Sequence, residues 1–255
     1  MPKIVAPWIA GPWIAGSVLV ALSSPVSAHP HVFIDTGLEV IFDQAGRVTG
    51  IRVTWTYDDF YTLMIMEERK LDPDGDGALT GAERAGFAGF DMDWSADYPG
   101  DTYALVDDVP LQLSRPSDFT ADIRDGKIVS THLRQLDPPF RPEQAVLVVK
   151  SYDPGYYFSY TIPQDATLTG GAGCFAQLDS PDPTVTKARV KTILKTFSAG
   201  GGLDQNFPRI GEILADEVKI ACSSERTQPP TNLVQAPVAP SGGSDCWRAW
   251  FWLSC

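Results

Sequence analysis

Apolar and polar residues alternate with a period of two along two neighbouring stretches of the chain, residues 31–43 and 46–57. This spacing is typical of β-strands that bury one face. The residues between the two stretches, Asp43 to Gly46, include Asp and Gly, which favour turns. The pattern therefore predicts a β-hairpin at the start of the folded part of the protein.

After Thr56 the spacing of the hydrophobic residues changes from a period of two to the period of an α-helix, which predicts a first helix. A second helix is expected over about residues 81–92, where Gly86 and Gly89 lower the helix propensity. The two helices predict a helix–loop–helix insertion at about residues 58–95. The first helix has Thr56 and Asp59 as its expected capping pair, and its residues at helical spacing are Phe60, Leu63, Met64, Glu67 and Leu71.

Strand signals return between residues 102 and 162, with a second hairpin at residues 124–127. A short helix is expected over residues 184–197, before three consecutive glycines. The simplest fold class is α+β and mainly β. We expect one antiparallel β-sandwich-like domain over residues 29–225 that carries the helix–loop–helix insertion.

Both ends of the chain differ in character from this domain. Residues 1–28 contain Lys3, an apolar run and a small-residue end at Ala28, which together predict a signal peptide cleaved after Ala28. Residues 226–245 are rich in Pro, Ser, Gly and Gln, a composition that predicts a disordered linker. Residues 246–255 form an aromatic tail, the one segment from which we expect any contact with a membrane.

Residues 72–83, with the sequence DPDGDGALTGAE, match the twelve-residue calcium loop of an EF-hand at every ligand position. Gly77 stands at the sixth position, where the chain must turn sharply. Four carboxylates within twelve residues repel one another unless a cation lies between them. The expected calcium ligands are Asp72, Asp74, Asp76, the backbone carbonyl of Ala78, Thr80 and Glu83.

A solvated acidic turn is the alternative interpretation of this segment, because Asp and Gly are common in turns. The sequence contains one such loop, whereas calcium sensors usually pair two. Single loops of exported modules bind calcium at roughly 10⁻⁴–10⁻³ M and remain filled where calcium is abundant. We therefore expect a structural ion rather than a regulatory switch.

The chain is acidic, with 32 acidic and 20 basic residues and a formal charge of −12. Nucleic acid and anionic membrane surfaces are therefore poor partners, and cations are good ones. The four cysteines are an even number, which suits disulfides in an oxidising compartment. We predict the pairs Cys174–Cys222, beside strand-like segments, and Cys246–Cys255, around the aromatic tail. CxxC spacing is absent from the sequence, which argues against a zinc site at these cysteines.

Cleavage after Ala28 makes His29 the first residue of the mature protein, followed by Pro30 and His31. The terminal amine and the two imidazoles suit zinc, copper, nickel or cobalt. Pro30 has no N–H, which blocks a square-planar site built from successive amide nitrogens. The further ligands must come from elsewhere in the fold. Asp35 shares a strand face with His31, His132 is the remaining histidine, and Asp58, Asp59 and Asp153 are further candidates.

Each part of this histidine site has a simpler alternative. His29 and His31 are also consistent with an ordinary frayed terminus that precedes a strand. His132 is also expected as a surface residue that makes local hydrogen bonds and binds no metal.

The segments AHPHVFID, WTYDDFY and YDPGYYFSY, the calcium-type loop and the later cysteine pair resemble a bacterial family of uncharacterised exported proteins. Its members are described as the periplasmic component of an ABC-type transport system and are often encoded beside a nickel/cobalt-efflux-type permease. The resemblance covers about residues 28–223. It implies a periplasmic partner of transition-metal transport, with His29 and His31 in the family's histidine motif. Nothing carries over to Cys246, Cys255 or the aromatic tail.

The leading hypothesis is a non-enzymatic periplasmic accessory protein that binds zinc, nickel or cobalt near an inner-membrane metal permease and carries a structural calcium ion. One alternative is a copper-dependent enzyme that oxidises polysaccharides, with His29 and the distant His132 as ligands. Another is a calcium-stabilised binding or scaffold module. The GxSxG, P-loop, HExxH and dinucleotide-binding motifs are absent from the sequence, so the enzyme classes that they mark are not predicted.

Overall fold

The computed structural model describes residues 32–199 and 208–223 of the 255-residue chain. The predicted signal peptide, His29, His31, the linker over residues 226–245 and the predicted Cys246–Cys255 pair lie outside the described residues.

The described residues form eleven strands and four helices. The strands are β1 (Val32–Phe42), β2 (Val48–Tyr57), β3 (Thr102–Val106), β4 (Val109–Pro110), β5 (Ser117–Arg124), β6 (Lys127–Phe140), β7 (Leu147–Ser151), β8 (Phe158–Thr161), β9 (Thr167–Thr169), β10 (Cys174–Asp179) and β11 (Glu217–Cys222). The helices are α1 (Asp59–Arg69), α2 (Gly81–Phe87), α3 (Pro183–Ala199) and α4 (Gly211–Leu214).

The strands form two sheets. The first has the order β5-β6-β2-β1-β8, and β9 also pairs with β1; the second has the order β10-β11-β7-β3-β4. Neighbouring strands are antiparallel, except that β8 and β9 run parallel to β1. The prediction of a mainly β fold is confirmed, with two sheets that are rich in antiparallel pairs. The two parallel pairs were not predicted, because they join strands more than 100 residues apart.

Both predicted hairpins are present. β1 and β2 pair along most of their length, and Asp43 Oδ1 accepts hydrogen bonds from the backbone N–H groups of Ala45 and Arg47 at 2.9 Å. β5 and β6 meet at a turn in which Gly126 has a φ of +75°. The Asp side chain and the glycine that marked these turns in the sequence are therefore the groups that form them.

The two sheets share one hydrophobic core. Alternate residues of β1, β7 and most of β2 point into it, which is the period-two pattern seen in the sequence of the first hairpin. Burying a Val, Leu or Ile side chain completely contributes about 1.5–3 kcal/mol to the free energy of folding. The core residues with no exposed surface include Val40, Val48, Ile51, Val53 and Ile128 from the first sheet and Leu147, Val149, Val218 and Ile220 from the second.

α1 is present where it was predicted, but the predicted buried face is wrong. Phe60 and Leu63 are 74% and 67% exposed, whereas Thr62 and Ile65 are buried. The helix begins after Asp58, whose carboxylate accepts the N–H of Tyr61, so the expected Thr56–Asp59 capping pair is also wrong. Packing against β6 decides which stripe is buried, and hydrophobic spacing alone did not identify it.

The second half of the domain contains α3 and a disulfide. α3 covers the region predicted as helical, and Cys174 and Cys222 form the predicted disulfide between β10 and β11. α2 ends at Phe87, earlier than predicted, and Gly89 follows in a left-handed conformation with a φ of +75°. No helix among residues 32–199 and 208–223 is both long and apolar enough to cross a membrane.

Candidate metal sites

The loop between α1 and α2 brings three carboxylates together. One oxygen from each of Asp72, Asp74 and Asp76 lies within 4.8 Å of the others. Carboxylate oxygens are the ligands that Ca²⁺ prefers. In the described part of the chain, this is the one group of three or more Asp, Glu, His or Cys residues with metal-ligand spacing.

The backbone of the loop turns at Gly77, which has a φ of +81°. L-residues rarely adopt this conformation, so a glycine is favoured there. Asp72 stabilises the turn, because its Oδ2 accepts the N–H of Gly77 and its Oδ1 accepts the N–H of Asp76, both at 3.0 Å. The first carboxylate of the loop is thus held toward the centre of the turn.

The second half of the loop is fixed by Thr80 and Glu83, which form a capping box at the start of α2. Glu83 Oε2 accepts the N–H of Thr80 at 2.8 Å, and its Oε1 accepts the N–H of Asp72 at 3.2 Å. Glu83 therefore bridges the first and ninth positions of the loop. Hydrogen bonds from the side chain and then the backbone of Thr80 lower the pKa of Glu83, which favours the ionised carboxylate.

The carboxylates of the loop interact with one another. A hydrogen bond with Asp72 raises the pKa of Asp74, and the negative charge of Asp76 raises it further. A bound divalent cation would relieve this repulsion and lower the pKa of Asp74. The donor set consists of oxygen atoms, and it fits a hard cation such as Ca²⁺ better than a transition metal.

The loop is attached to the first sheet. Leu79, at the eighth position, is 4% exposed and belongs to the core. Thr62 of α1 accepts the backbone N–H of Ile128 in β6 at 3.1 Å, and Arg84 of α2 forms a 3.0 Å ion pair with Asp122 in β5. The conformation of the loop is therefore coupled to how the two helices pack.

The structure does not bring Asp35 and His132 together. The Asp35 side chain lies on the exposed face of β1, whereas His132 of β6 points into the core with no exposed surface. Side chains on opposite faces of one sheet cannot bind the same ion. The expectation that His132 lies at the surface is also wrong.

Two of the other candidate carboxylates lie next to the start of β1. Asp58 Oδ2 accepts the N–H of Phe33 at 2.7 Å. Asp153 Oδ2 accepts the N–H of Phe158, and Phe158 is the β8 partner of Val32, the first residue of β1. His31 directly precedes Val32 in the sequence. Asp59 has its carboxylate 3.7 Å from the Lys127 ammonium.

A family model described as "Protein of unknown function (DUF1007)" matches residues 14–222, well over half of the chain. The protein belongs to the DUF1007 family. Its match includes the calcium-type loop, both cysteines of the disulfide and the segment with His29 and His31. No curated protein matches the chain significantly. The family membership thus gives no activity, and the transport context stays a hypothesis.

The interior of this DUF1007 domain holds an unexpected histidine. His132 makes edge contacts with Trp55 and Trp94, at ring-centroid distances of 4.7 and 5.4 Å. Neither ring nitrogen has a hydrogen-bond partner within the described residues. Burial lowers the pKa of His132 to about 3, and the positive charge of Arg134 adds to the effect. His132 is therefore neutral at physiological pH.

Asp101 is a second ionisable group in the DUF1007 interior that sequence reasoning missed. It is 1% exposed, and its Oδ2 accepts the hydroxyl of Tyr160 at 3.0 Å. Burial raises its pKa to about 7, against hydrogen bonds from Tyr98 and Tyr160 that lower it. The burial of His132 and Asp101 was not predictable from residue spacing, because polar residues occupy both faces of the pattern around them.

Proposed function

We propose that this protein is an exported, non-enzymatic metal-binding accessory protein of a transition-metal transport system, stabilised by a calcium ion in the loop at residues 72–83. The observation that carries the calcium part is the convergence of three carboxylates around the left-handed turn at Gly77. The Cys174–Cys222 disulfide supports an oxidising compartment such as the periplasm.

The calcium ion would be held by the ligands that the sequence predicts: Asp72, Asp74, Asp76, the carbonyl of Ala78, Thr80 and Glu83. Its role is structural, because the loop lies between two helices that both pack on the first sheet. An ion that neutralises the loop carboxylates stabilises the insertion and leaves the rest of the fold unchanged.

The transition-metal part of the proposal rests on His29 and His31, with Asp58 and Asp153 as candidate carboxylate ligands. Asp58 accepts the N–H of Phe33 in β1, and Asp153 accepts the N–H of Phe158, which pairs with Val32. A terminal amine with imidazole donors suits zinc, nickel or cobalt. The ion would pass between this site and an inner-membrane permease. Asp35 and His132 are no longer proposed as ligands of one site.

The copper-dependent enzyme is not supported by a specific observation. It needs His132 as the distant histidine at an accessible copper site, and His132 has no exposed surface. The scaffold hypothesis depends on the aromatic tail, which lies outside the described residues.

Elemental analysis of tag-free protein purified from the periplasm tests the proposal. We expect one calcium per chain, lost in Asp72→Asn, because the first loop position requires Asp, and kept in Asp107→Asn, a matched change in the turn between β3 and β4. After exposure to zinc, nickel and cobalt, we expect one transition-metal ion as well, lost in a His29→Ala/His31→Ala variant that keeps its calcium.

The two parts of the proposal fail separately. Calcium content below 0.1 per chain in millimolar calcium would refute the structural ion. Calcium alone, with no transition metal bound more tightly than in the double histidine variant, would refute the metal-accessory role.

A further inference from the structure

A groove of about 1240 Å³ lies between α3, α4, the end of β7 and β8. Its volume is somewhat above the range of about 300–1,000 Å³ found for most small-molecule sites, so it has room for an extended ligand. One wall is formed by α3, with Val190 and Leu194; the opposite wall includes Phe158, Ile210 and Leu214.

α3 leaves its apolar stripe open. Val190 and Leu194 recur at helical spacing and face the groove, yet both are only half-buried. From Pro183 to Phe197, Thr186 is the one residue that is buried. An amphipathic helix of a closed domain normally buries this stripe against the core. The groove therefore separates α3 from the surface on which it would otherwise pack.

The rim of the groove is basic in an acidic protein. Lys187, Lys191 and Lys195 lie one helical turn apart and all line the groove. None of them forms an ion pair with another described residue. The formal charge of the whole chain is −12, so this row of lysines is a local exception that attracts anions.

The acidic residues that also line the groove are already engaged. Asp153 accepts the backbone N–H groups of Gly155, Tyr157 and Phe158. Asp216 Oδ2 accepts the N–H of Ile162 at 2.8 Å. Asp153 thus stabilises a local turn and Asp216 joins two distant segments of the chain, whereas the lysines remain available to an anionic ligand.

The groove also contains a polar group without a partner. Ser151 lines it, is 1% exposed, and its Oγ has no hydrogen-bond partner among the described residues. A buried hydroxyl without a partner is unfavourable, and a bound molecule or a water relieves it.

We propose that the groove binds a medium-chain organic anion that has a carboxylate at one end, an apolar body and a hydrogen-bonding group at the other. The lysine row pairs with the carboxylate, Val190, Leu194 and Phe158 contact the apolar body, and Ser151 takes the polar end. This inference does not depend on the metal-binding proposal.

Calorimetric titration of the full mature protein with 12-hydroxydodecanoate tests the inference. We expect binding that Lys191→Glu weakens at least tenfold, because the change reverses a charge that faces the carboxylate. Arg189→Glu makes the same change of charge on α3 at a residue that does not line this groove, and we expect it to change affinity less than twofold. The neutral analogue dodecane-1,12-diol should bind at least tenfold more weakly than the acid.

A second variant tests the floor of the groove. Ser151→Ala should weaken 12-hydroxydodecanoate at least threefold and leave dodecanoate unchanged, because only the hydroxylated probe has a group to pair with Oγ. Absence of binding to the full mature protein would overturn the inference. This outcome includes the case in which a terminal segment of the same chain fills the groove. Equal weakening by Lys191→Glu and Arg189→Glu would overturn it as well.

Discussion

Buried polar side chains set the chemistry of the space between the two sheets. Thr36, Asp101, Thr102, His132 and Ser151 are each at most 2% exposed, and each has a polar side-chain atom without a partner among the described residues. Such an atom costs about 1–3 kcal/mol when nothing pairs with it. Ordered water is the usual partner of these groups in native proteins.

Asp101 should make folding stability depend on pH. Its pKa rises from 3.8 to about 7 on folding, so the folded state binds the proton more tightly. The resulting stabilisation is complete below about pH 4 and is lost as pH rises through 7, by about 4 kcal/mol in total. Asp101→Asn keeps a neutral side chain at every pH. Urea unfolding measures the free energy of unfolding of both proteins. We therefore expect the difference, variant minus wild type, to increase by several kcal/mol between pH 4 and pH 8.

His132 acts in the opposite direction. Its pKa falls from 6.5 to about 3 on folding, so the stability it contributes is present above pH 6.5 and is lost as pH falls toward 3. This effect is common to the wild type and to Asp101→Asn, and it cancels in their difference. Asp107→Asn, in the turn between β3 and β4, is the exposed control. Parallel curves for the wild type and Asp101→Asn would contradict the role assigned to Asp101.

At the scale of elements, the α1–loop–α2 insertion is held to the first sheet by specific side chains. Tyr57 of β2 and Ser130 of β6 both donate hydrogen bonds to Asp91 Oδ2, at 2.7 and 2.6 Å. Phe87 and Phe90 stack at a centroid distance of 4.3 Å, and Phe90 packs edge-on against Tyr57. The chain after α2 is thus anchored to β2 and β6 of the first sheet.

Gly77→Ala should destabilise the protein by about 1 kcal/mol, because the backbone there is left-handed and L-residues adopt that conformation at a cost. A methyl group at Gly77 meets no atom within 4 Å, so the cost is conformational and not steric. Urea unfolding measures the difference. If the loop binds calcium as proposed, the variant should also bind it more weakly.

Gly86→Ala is the matched control in α2. A methyl group there also meets no atom within 4 Å, but Gly86 is an exposed residue in the last turn of α2 and its backbone is helical. We expect this variant to be more stable than the wild type by about 0.5–1 kcal/mol. Equal effects of the two substitutions would show that the loop does not need the left-handed turn at Gly77.

At the scale of the whole molecule, the disulfide joins the edge strand of the second sheet, β10, to its neighbour β11. Cys174 of β10 and Cys222 of β11 are directly paired in the register of these strands, and they are 48 residues apart in sequence. The bond therefore closes the chain around α3 and α4. It restricts the unfolded state most strongly in the part of the domain that contains the groove.

Removing this disulfide by Cys174→Ser/Cys222→Ser should lower the free energy of unfolding by up to about 4 kcal/mol, the loop-closure value for 48 residues. Urea unfolding of the wild type and the double variant, each with and without reductant, measures it. Reductant should destabilise the wild type to a similar extent and leave the double variant unchanged. A destabilisation by reductant of both proteins would point to another disulfide as the cause.

Short-range patterns predicted much of this fold. The β1–β2 hairpin followed from period-two alternation and from Asp43, whose carboxylate binds N–H groups two and four residues ahead. The calcium-type loop was also predicted from local spacing, because Asp72, Asp74 and Asp76 lie within five residues of sequence and the loop between α1 and α2 brings them together. These interactions are local, so the spacing of residues in sequence specifies them.

The tertiary structure alone decided which polar residues are inside. Asp35 and His132 are predicted strand residues, but their position on opposite faces depends on how β1, β2 and β6 align, which is a long-range choice. The exposure of Phe60 and the burial of Thr62 likewise depend on the sheet that α1 contacts. The sequence by itself determined the strands, the turns, the acidic loop and the Cys174–Cys222 pair. Long-range packing determined the burial of His132 and Asp101 and the open groove beneath α3, because the burial of a side chain depends on contacts with residues that are distant in the chain.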